Sequence, residues 1–549
     1  MPENSWGRRI LAYSPVVICA LIMLPRILSA QFGLFDDPGI LAASSQGFSA
    51  ERLLAQEASV GRFRPIYWLY YSLLYHIFGL RSEWFFVGNL VLFMVITALV
   101  VALSLKLGLN SRSAAISGLS FALSGPILEN VYTLCKLELL QVIWIVLFFL
   151  SAGLVKAGQK WYRNIPAFLL TSTLVFLACS TKETGILLGP ILLVFFVIRF
   201  ISSRASKGRT KEILQERAFL LLASLTGITL YFLISSAYLR NYYLHNNLIQ
   251  VGQDDFNFSL GWLLSQGQNL VEWLLRDYLY LLPLFLIGIV ILIKSPQRPT
   301  LPLFLEWFSA AALWSGMYLP WLYFPEYYLL PMSIAAAVIC GLFVQLALDF
   351  TARSSRIRPL VTVGLGLTVF LFLLGIPNQI TNGRLQLAID KANTSMLAQI
   401  AENAAPGSRV WINIQEPNEY VSQMTTWWSA IAGRPDLQVH HFHFQEIPQS
   451  MEQEPEIWIV SPIVSNQFYP SVRLGVHERN AEAWNRTLEE YLAGRGARDE
   501  AIRSSFRIFN LSPMRFACSF IRSAADCKYP PDLYDQRVFV YGWDIIHIP

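Results

Sequence analysis

The sequence predicts an α-helical polytopic membrane protein of about eleven transmembrane helices, followed by a C-terminal extracytoplasmic α/β domain. Three observations lead there. Of the 549 residues, 54% are hydrophobic and only 14% charged, and a mean hydropathy of +0.43 excludes an ordinary soluble protein. Apolar windows of spanning length recur as far as residue 377. From Gln379 onward charge rises and apolar runs shorten, so residues 1–378 read as the multispan part and 379–549 as the soluble part. The formal net charge of +5 is modest, and no nucleic-acid partner is expected.

The windows fall at 10–30, 84–106, 112–128, 138–155, 164–181, 184–202, 217–238, 273–293, 303–322, 327–348 and 359–377. The first is long and lacks a small-residue cleavage site closely behind it, so it reads as a signal anchor. Segment 65–79, rich in Tyr and Trp, is too short to cross and is expected to lie in the membrane interface. Lys and Arg then orient the chain. Arg8 and Arg9, Lys106 and Arg112, Lys156, Lys160 and Arg163, the run from Arg204 to Arg217, Lys294 and Arg298, and Arg353, Arg356 and Arg358 all fall on one side when eleven spans are counted. That side is cytoplasmic by the positive-inside rule. The N-terminus is then inside and the C-terminal domain outside the plasma, or bacterial inner, membrane.

The opposite side receives the mixed charges, while the cytoplasmic loops carry no comparable mixed cluster. Asp36 and Asp37 stand side by side after the first span, and the same loop continues to Arg64-Pro65. An Asp pair in a loop is by itself ordinary solvated charge; at a membrane boundary, two carboxylates call for water, a cation or a substrate. Glu129 closes the third span and Lys136 and Glu138 open the fourth. Two residues apart, Lys136 and Glu138 do not face each other on a helix. Lys182-Glu183 sits between two apolar runs with almost no loop, placing both side chains near the membrane surface, as a mutual ion pair or as functional groups. There Lys182 can meet a lipid phosphate as a point charge, and Glu183 either holds Lys182 or caps the following helix. Asp254-Asp255 reads as a solvated loop. Glu326-Tyr327-Tyr328 follows an aromatic run, and the aromatics there are expected of an interface belt.

Taken in order, these motifs resemble those of the GT-C superfamily of membrane glycosyltransferases, most of all the protein O-mannosyltransferase and aminoarabinose-transferase branch. Phe35-Asp36-Asp37 resembles the acidic motif of the first external loop. Arg64-Pro65, Phe78-Gly79-Leu80 and Asn89 are similar to a recurrent Arg-Pro, Gly, Asn run. Gly125-Pro126-Ile127 with Glu129, Lys136 and Glu138 resembles the second external loop, with Lys136 where Arg is usual. Ser180-Thr181-Lys182-Glu183-Thr184-Gly185 resembles the Lys-Glu motif of the sixth span. The likeness covers residues 10–200 well and later spans in outline. No tetratricopeptide array follows.

The resemblance implies an inverting transfer of a sugar from a polyprenyl-phosphate-linked donor to a lipid, glycan or protein acceptor. Asp36 or Asp37 is the implied general base. Lys182, with Arg64, is implied at the donor phosphate, where it would stabilise the leaving group. Glu129, Lys136, Glu138, Glu183 and Glu326 are the remaining candidate substrate-binding residues. The sequence requires no cofactor. A divalent metal, Mg or Mn, would find hard oxygen ligands in Asp36, Asp37 and Glu129, and no residue is assigned as a metal ligand. Two other classes compete: a transporter or flippase of a lipid-linked saccharide, and a non-catalytic scaffold of the same fold. Transporters favour repeated halves and midplane sites. Here charge gathers at one face and no internal repeat is found.

In the C-terminal part, a helix at 394–404, a strand at 409–414 after Pro406-Gly407, and segments 419–432, 438–444, 456–460, 478–492, 505–510 and 537–548 suggest mixed strands and helices. His441 and His443 share a strand face without an evident third ligand, which favours a half-exposed strand over a zinc site. Cys518 and Cys527 are spaced to close a small loop outside the membrane. The other four cysteines read as small core residues. Asn257, Asn393, Asn485 and Asn510 begin glycosylation sequons.

Overall fold

The protein's structure is a computed structural model that describes residues 5–34, 36–155, 161–204, 210–246, 256–294, 300–321, 326–353, 358–413, 417–442, 448, 451, 456–465, 491–493, 495–507, 510–511, 534–535 and 538–549. Cys518, Cys527, His443, Asn485 and Asp254-Asp255 lie outside the described residues.

Helices α1 (Ser5–Tyr13) and α2 (Pro15–Leu28) form the first apolar rod. Three short helices build the loop behind it: α3 (Asp37–Ser45), α4 (Ala50–Ala55) and α5 (Pro65–Phe78). Then come α6 (Ser82–Lys106), α7 (Ser111–Ala122), α8 (Gly125–Tyr132), α9 (Glu138–Ser151), α10 (Ile165–Thr181), α11 (Leu188–Arg204) and α12 (Thr210–Asn246). The helical part closes with α13 (Leu260–Tyr278), α14 (Leu281–Lys294), α15 (Thr300–Gly316), α16 (Leu330–Arg353) and α17 (Arg358–Asn403). Local chemistry explains the starts. Asn110 caps α7 by accepting from the Ser113 amide at 2.9 Å, and Pro38, Pro65 and Pro126 sit in the first turns of α3, α5 and α8.

Among the described residues, six helices are long and apolar enough to cross a membrane, or seven if α13 and α14, bent by 88° at their junction, count as one span. Six of the eleven sequence windows fall on those six, and the window 273–293 on the bent pair. The other four fall on α7 (12 residues), α9 (14), α10 (17) and α15 (17), each shorter than those six. Breaks at Ser124 and Lys182 shorten two of them by placing polar backbone and charge where a continuous rod would run. Helix α16 is the hub, with 89% of its apolar window buried inside the protein. Its small face permits this: a Cβ on Gly341 would collide with Ser117 of α7.

Segment 65–79 folds as α5 with its aromatics facing the protein. Tyr67, Trp68 and Tyr71 of α5 are buried in the protein core, while Leu69, Leu73 and Ile77 are exposed. The two tyrosines find partners for their polar tips there: the Tyr67 hydroxyl donates to the Cys135 carbonyl at 3.1 Å, and the Tyr71 hydroxyl accepts the Cys135 amide at 2.8 Å.

Helix α17 runs without a break from Arg358 to Asn403, across the boundary expected at 378–379. At 1.5 Å per residue its 46 residues extend about 69 Å, far beyond one hydrocarbon core. Its second half carries a five-stranded sheet of β1 (Arg409–Asn413), β2 (Gln438–Phe442), β3 (Ile457–Ser465), β4 (Arg498–Arg507) and a long C-terminal strand, Val538–Ile548. Two short strands, β5 (Asn510–Leu511) and β6 (Tyr534–Asp535), pair separately, so the C-terminal strand is β7. The order is β2-β1-β3-β7-β4; β1 runs parallel to β2 and β3, and β7 antiparallel to β3 and β4. A crossover helix, α18 (Pro417–Ala430), links β1 to β2. Period-two alternation sorts the faces: Val410 and Ile412 pack with Leu385, Met396 and Ile400 of α17 and Trp428 of α18, whereas Trp411 joins Phe442 and Ile459 on the other side. Asn393 is no exposed sequon. It is buried, and its Oδ1 accepts from the Tyr541 hydroxyl at 2.6 Å and the Trp543 indole at 2.8 Å.

Candidate active site

Gly33, Leu34 and Asp36 lie between α2 and α3, and Asp37 opens α3. The Gly33 amide donates to Asp37 Oδ2 at 2.7 Å, and the Cys135 thiol lies 3.1 Å from Asp37 Oδ1. Asp37 is 4% exposed. Burial, reinforced by the neighbouring Asp390 carboxylate, pushes its carboxyl up to about 7. Asp36, one residue earlier, has φ +67° and ψ −42° and a side chain 37% exposed. That backbone is rare for a residue with a Cβ, and such strain collects where a side chain must be presented rather than packed. Adjacent aspartates thus differ sharply: Asp37 is locked and Asp36 is presented.

Two cavities meet at Asp36. One, of about 60 Å³, is lined by Asp36, Asp37, Glu129, Lys136, Tyr327 and Asp390 among others. The larger, of about 340 Å³, is lined by Asp36, Arg62, Arg64, Trp68, Cys135 and Tyr328 among others. Lys136 stands between the carboxylates and the aromatics, 3.8 Å from Asp36 Oδ2 and 4.0 Å from the Tyr327 ring centre. Glu129 is half-buried, and the loss of solvent around its carboxyl pushes it up to about 8 against the pull of Lys136 and Arg276. The loop that carries these groups is pinned by Asn89, whose amide donates to the carbonyls of Val131 and Thr133 at 3.2 and 3.0 Å.

The remaining candidates form two ion-pair units. Arg64 holds Glu183 with a two-point grip at 2.9 and 2.8 Å and also lies 3.1 Å from Glu57. Lys182 pairs with Glu138 and sits 3.5 Å from the Tyr328 ring centre. The mutual Lys182-Glu183 pair is therefore corrected: the extended backbone at Lys182 breaks α10 from the following turn and sends the two side chains to different partners. Lys182 is also buried within the protein. It is 1% exposed and lines neither cavity, and the Gln141 amide fixes its carbonyl at 2.9 Å. Gly185 makes this break feasible, because a Cβ there would stand 2.8 Å from the Cys179 amide nitrogen.

Glu326 pairs with Arg276, which also holds Asp277 at 2.9 Å. It supports the start of α8 from behind, where a Cβ on Gly125 would strike both Glu326 and Asp277. Tyr327 and Tyr328 are not belt residues but the aromatic partners of Lys136 and Lys182. Cys135 is more than a small core residue, for its backbone has φ +65° and its thiol holds Asp37.

Several site residues escaped the sequence reading. Asp390, on α17, lines the smaller cavity, pairs with Arg26 of α2 and accepts from Gln386 at 2.9 Å. Arg26 gave one signal, a charge inside the first apolar window; Asp390 gave none, lying beyond the expected end of the membrane part. Among the described residues, no group of three or more His, Cys, Asp or Glu side chains is arranged to hold a metal ion. The Asp37 oxygens accept from the Gly33 amide and the Cys135 thiol.

No known family pattern and no characterised protein sequence matches the chain. Among solved structures, the chain is similar to ArnT from Cupriavidus metallidurans bound to undecaprenyl phosphate, at 11% identity over 87% of this chain and all of that one, with a TM-score of 0.43. It is also similar to the Archaeoglobus fulgidus oligosaccharyltransferase in the apo form, at 13% identity over 79% of this chain and 65% of that one, with a TM-score of 0.46. Both TM-scores lie below 0.5.

Proposed function

We propose that the protein is an inverting membrane glycosyltransferase of GT-C type. It moves a sugar from a polyprenyl-phosphate donor to an acceptor hydroxyl on the extracytoplasmic face, within an eleven-span, N-in, C-out topology. The observation that carries this reading is convergence. Motifs from Asp36 to Tyr328, scattered over most of the membrane part, interlock through Asp36–Lys136, Arg64–Glu183, Lys182–Glu138, Lys136–Tyr327 and Lys182–Tyr328 around two adjoining cavities.

In this reading Asp36 is the base, because it alone of the pair has a presented carboxylate. The acceptor oxygen attacks the anomeric carbon, its proton passes to Asp36, and the bond from that carbon to the phosphate oxygen breaks. The electron pair leaves with the polyprenyl phosphate, whose developing charge faces Arg62, Arg64 and Lys136. One displacement inverts the anomeric centre. Asp37 orients the loop, and Glu183 and Glu57 hold the Arg64 guanidinium. Lys182 and Glu138 shape the aromatic wall. Trp68, Tyr327 and Tyr328 offer flat faces to a sugar ring.

The test is transfer of a labelled sugar from a short-chain polyprenyl-phosphate donor by the detergent-purified chain, with and without EDTA. Asp36→Asn is expected to lower turnover at least about 100-fold while donor binding persists. Donor binding without turnover in wild type would favour the transporter reading, and an effect of EDTA would bring Mg or Mn into the reaction.

A further inference from the structure

The end of the bundle opposite Asp36 holds a second cavity of about 370 Å³. Ser82 at the start of α6 donates to the Ala30 carbonyl, beside the Asp36 loop; Lys106 at its other end lines this cavity. The two ends of α6 are about 36 Å apart at 1.5 Å per residue. A mixed-charge cluster lies here, contrary to the sequence reading of that side. Glu306 of α15 is fully buried and held by both Arg199 of α11, at 2.8 Å, and Arg217 of α12, at 2.8 Å. Arg217 also reaches Glu216 at 3.2 Å. Three cations therefore face two carboxylates, leaving excess positive charge.

Three cations, Lys106, Arg199 and Arg217, line the cavity against one carboxylate, Glu216. Lys106 is exposed and donates to the Phe149 and Leu150 carbonyls at the end of α9, with no carboxylate within ion-pair distance among the described residues. Trp307 is buried, and its indole N–H has no acceptor among the described residues. Phe149, Phe195 and Leu303 complete the wall. Donors and net positive charge beside aromatic and aliphatic surface fit a ligand that is both acceptor-rich and greasy. The volume falls in the range of about 300–1,000 Å³ typical of small-molecule sites.

We propose that this cavity binds the phosphate headgroup of an anionic membrane phospholipid from the leaflet opposite the candidate active site. The phosphate engages Lys106 and the Trp307 indole, while the upper acyl chains lie against Phe149, Phe195 and Leu303. The Arg199–Glu306–Arg217 unit supplies fixed positive potential behind them.

The experiment titrates dihexanoyl-phosphatidylglycerol, below its micelle concentration, into the full chain in neutral detergent, beside dihexanoyl-phosphatidylcholine and inorganic phosphate. Phosphatidylglycerol is expected to bind at least about 10-fold tighter than either. Lys106→Gln, at an exposed position that leaves the core intact, is expected to weaken it at least 5-fold. Trp307→Phe, which keeps the ring and removes the N–H, is expected to weaken it about 3-fold. Lys391→Gln, on the exposed face of α17, is the control and changes nothing. Equal binding of inorganic phosphate would replace the lipid by a soluble phosphate compound. Binding indifferent to both cavity variants, or no binding, would overturn the site.

Discussion

The thiol of Cys135 lies 3.1 Å from Asp37 Oδ1, joining the loop between α8 and α9 to the start of α3. Cys135 itself is clamped through its backbone by the hydroxyls of Tyr67 and Tyr71, so α5 fixes the position of the aspartate loop through one residue. Removing the thiol leaves the clamp and frees the carboxylate. Cys135→Ala is expected to lower transfer about 10-fold with a stability loss of about 1 kcal/mol, whereas Cys135→Ser, which keeps a donor, stays within about 3-fold. Initial rates and thermal unfolding measured side by side check both.

Asp37 and Glu129 also set a pH dependence. Each carboxyl is raised by burial, to about 7 and about 8, so the folded state binds these protons more tightly than the unfolded chain. Their contribution to stability is full below about pH 4 and is lost as pH rises through 7 and 8. Thermal unfolding between pH 4.5 and 8.5 is expected to show falling stability toward alkaline pH. Asp37→Asn removes the part lost by pH 7, and Glu129→Gln the part extending to pH 8. A stability that rises over the same range in wild type would contradict the burial of both groups.

The Lys182–Glu138 pair predicts a double-mutant signature. Both side chains are buried, so Lys182→Met strands a carboxylate and is expected to cost about 3–5 kcal/mol. Lys182→Met with Glu138→Leu removes both charges and should recover most of that loss. Because Lys182 lines neither cavity, donor affinity in the double variant should remain within about 3-fold of wild type. A donor affinity lost in the refolded double variant would restore Lys182 to the phosphate site.

The apolar windows were readable because a spanning run is a local property of the chain. Their lengths were less so: α7 stops at Ala122 and α10 at Thr181, where one or two polar residues turn the backbone while the flanking hydropathy continues. The charged motifs were readable as a set, but their pairings were not. Arg64 finds Glu183, and Lys182 finds Glu138, across 119 and 44 residues, and spacing carries no trace of such contacts. Arg26–Asp390 closes over 364 residues, joining α2 to a part of α17 that lies beyond the last apolar window. The positive φ of Cys135 has no sequence signal, since the residue that adopts it is neither Gly nor Asn.

Asp36 offers the sharpest separation of stability from function. Its φ of +67° places a Cβ-bearing residue in a region costing about 1–3 kcal/mol. The side chain repays little of that, being partly exposed and reaching only Lys136 at 3.8 Å. Glycine adopts such a φ freely but loses about 0.5–1 kcal/mol through the added entropy of the unfolded chain. Asp36→Gly is therefore expected to stabilise the fold by about 1 kcal/mol and to abolish transfer, whereas Asp36→Ala abolishes transfer and keeps the strain. Asp36→Asn, whose side chain tolerates positive φ better than alanine, should match wild type in stability and the glycine variant in inactivity. Equilibrium unfolding of the four proteins, set beside their transfer rates, distinguishes a carboxylate held under strain for chemistry from one that merely ends a turn; in the latter case the glycine variant would gain stability and keep its activity.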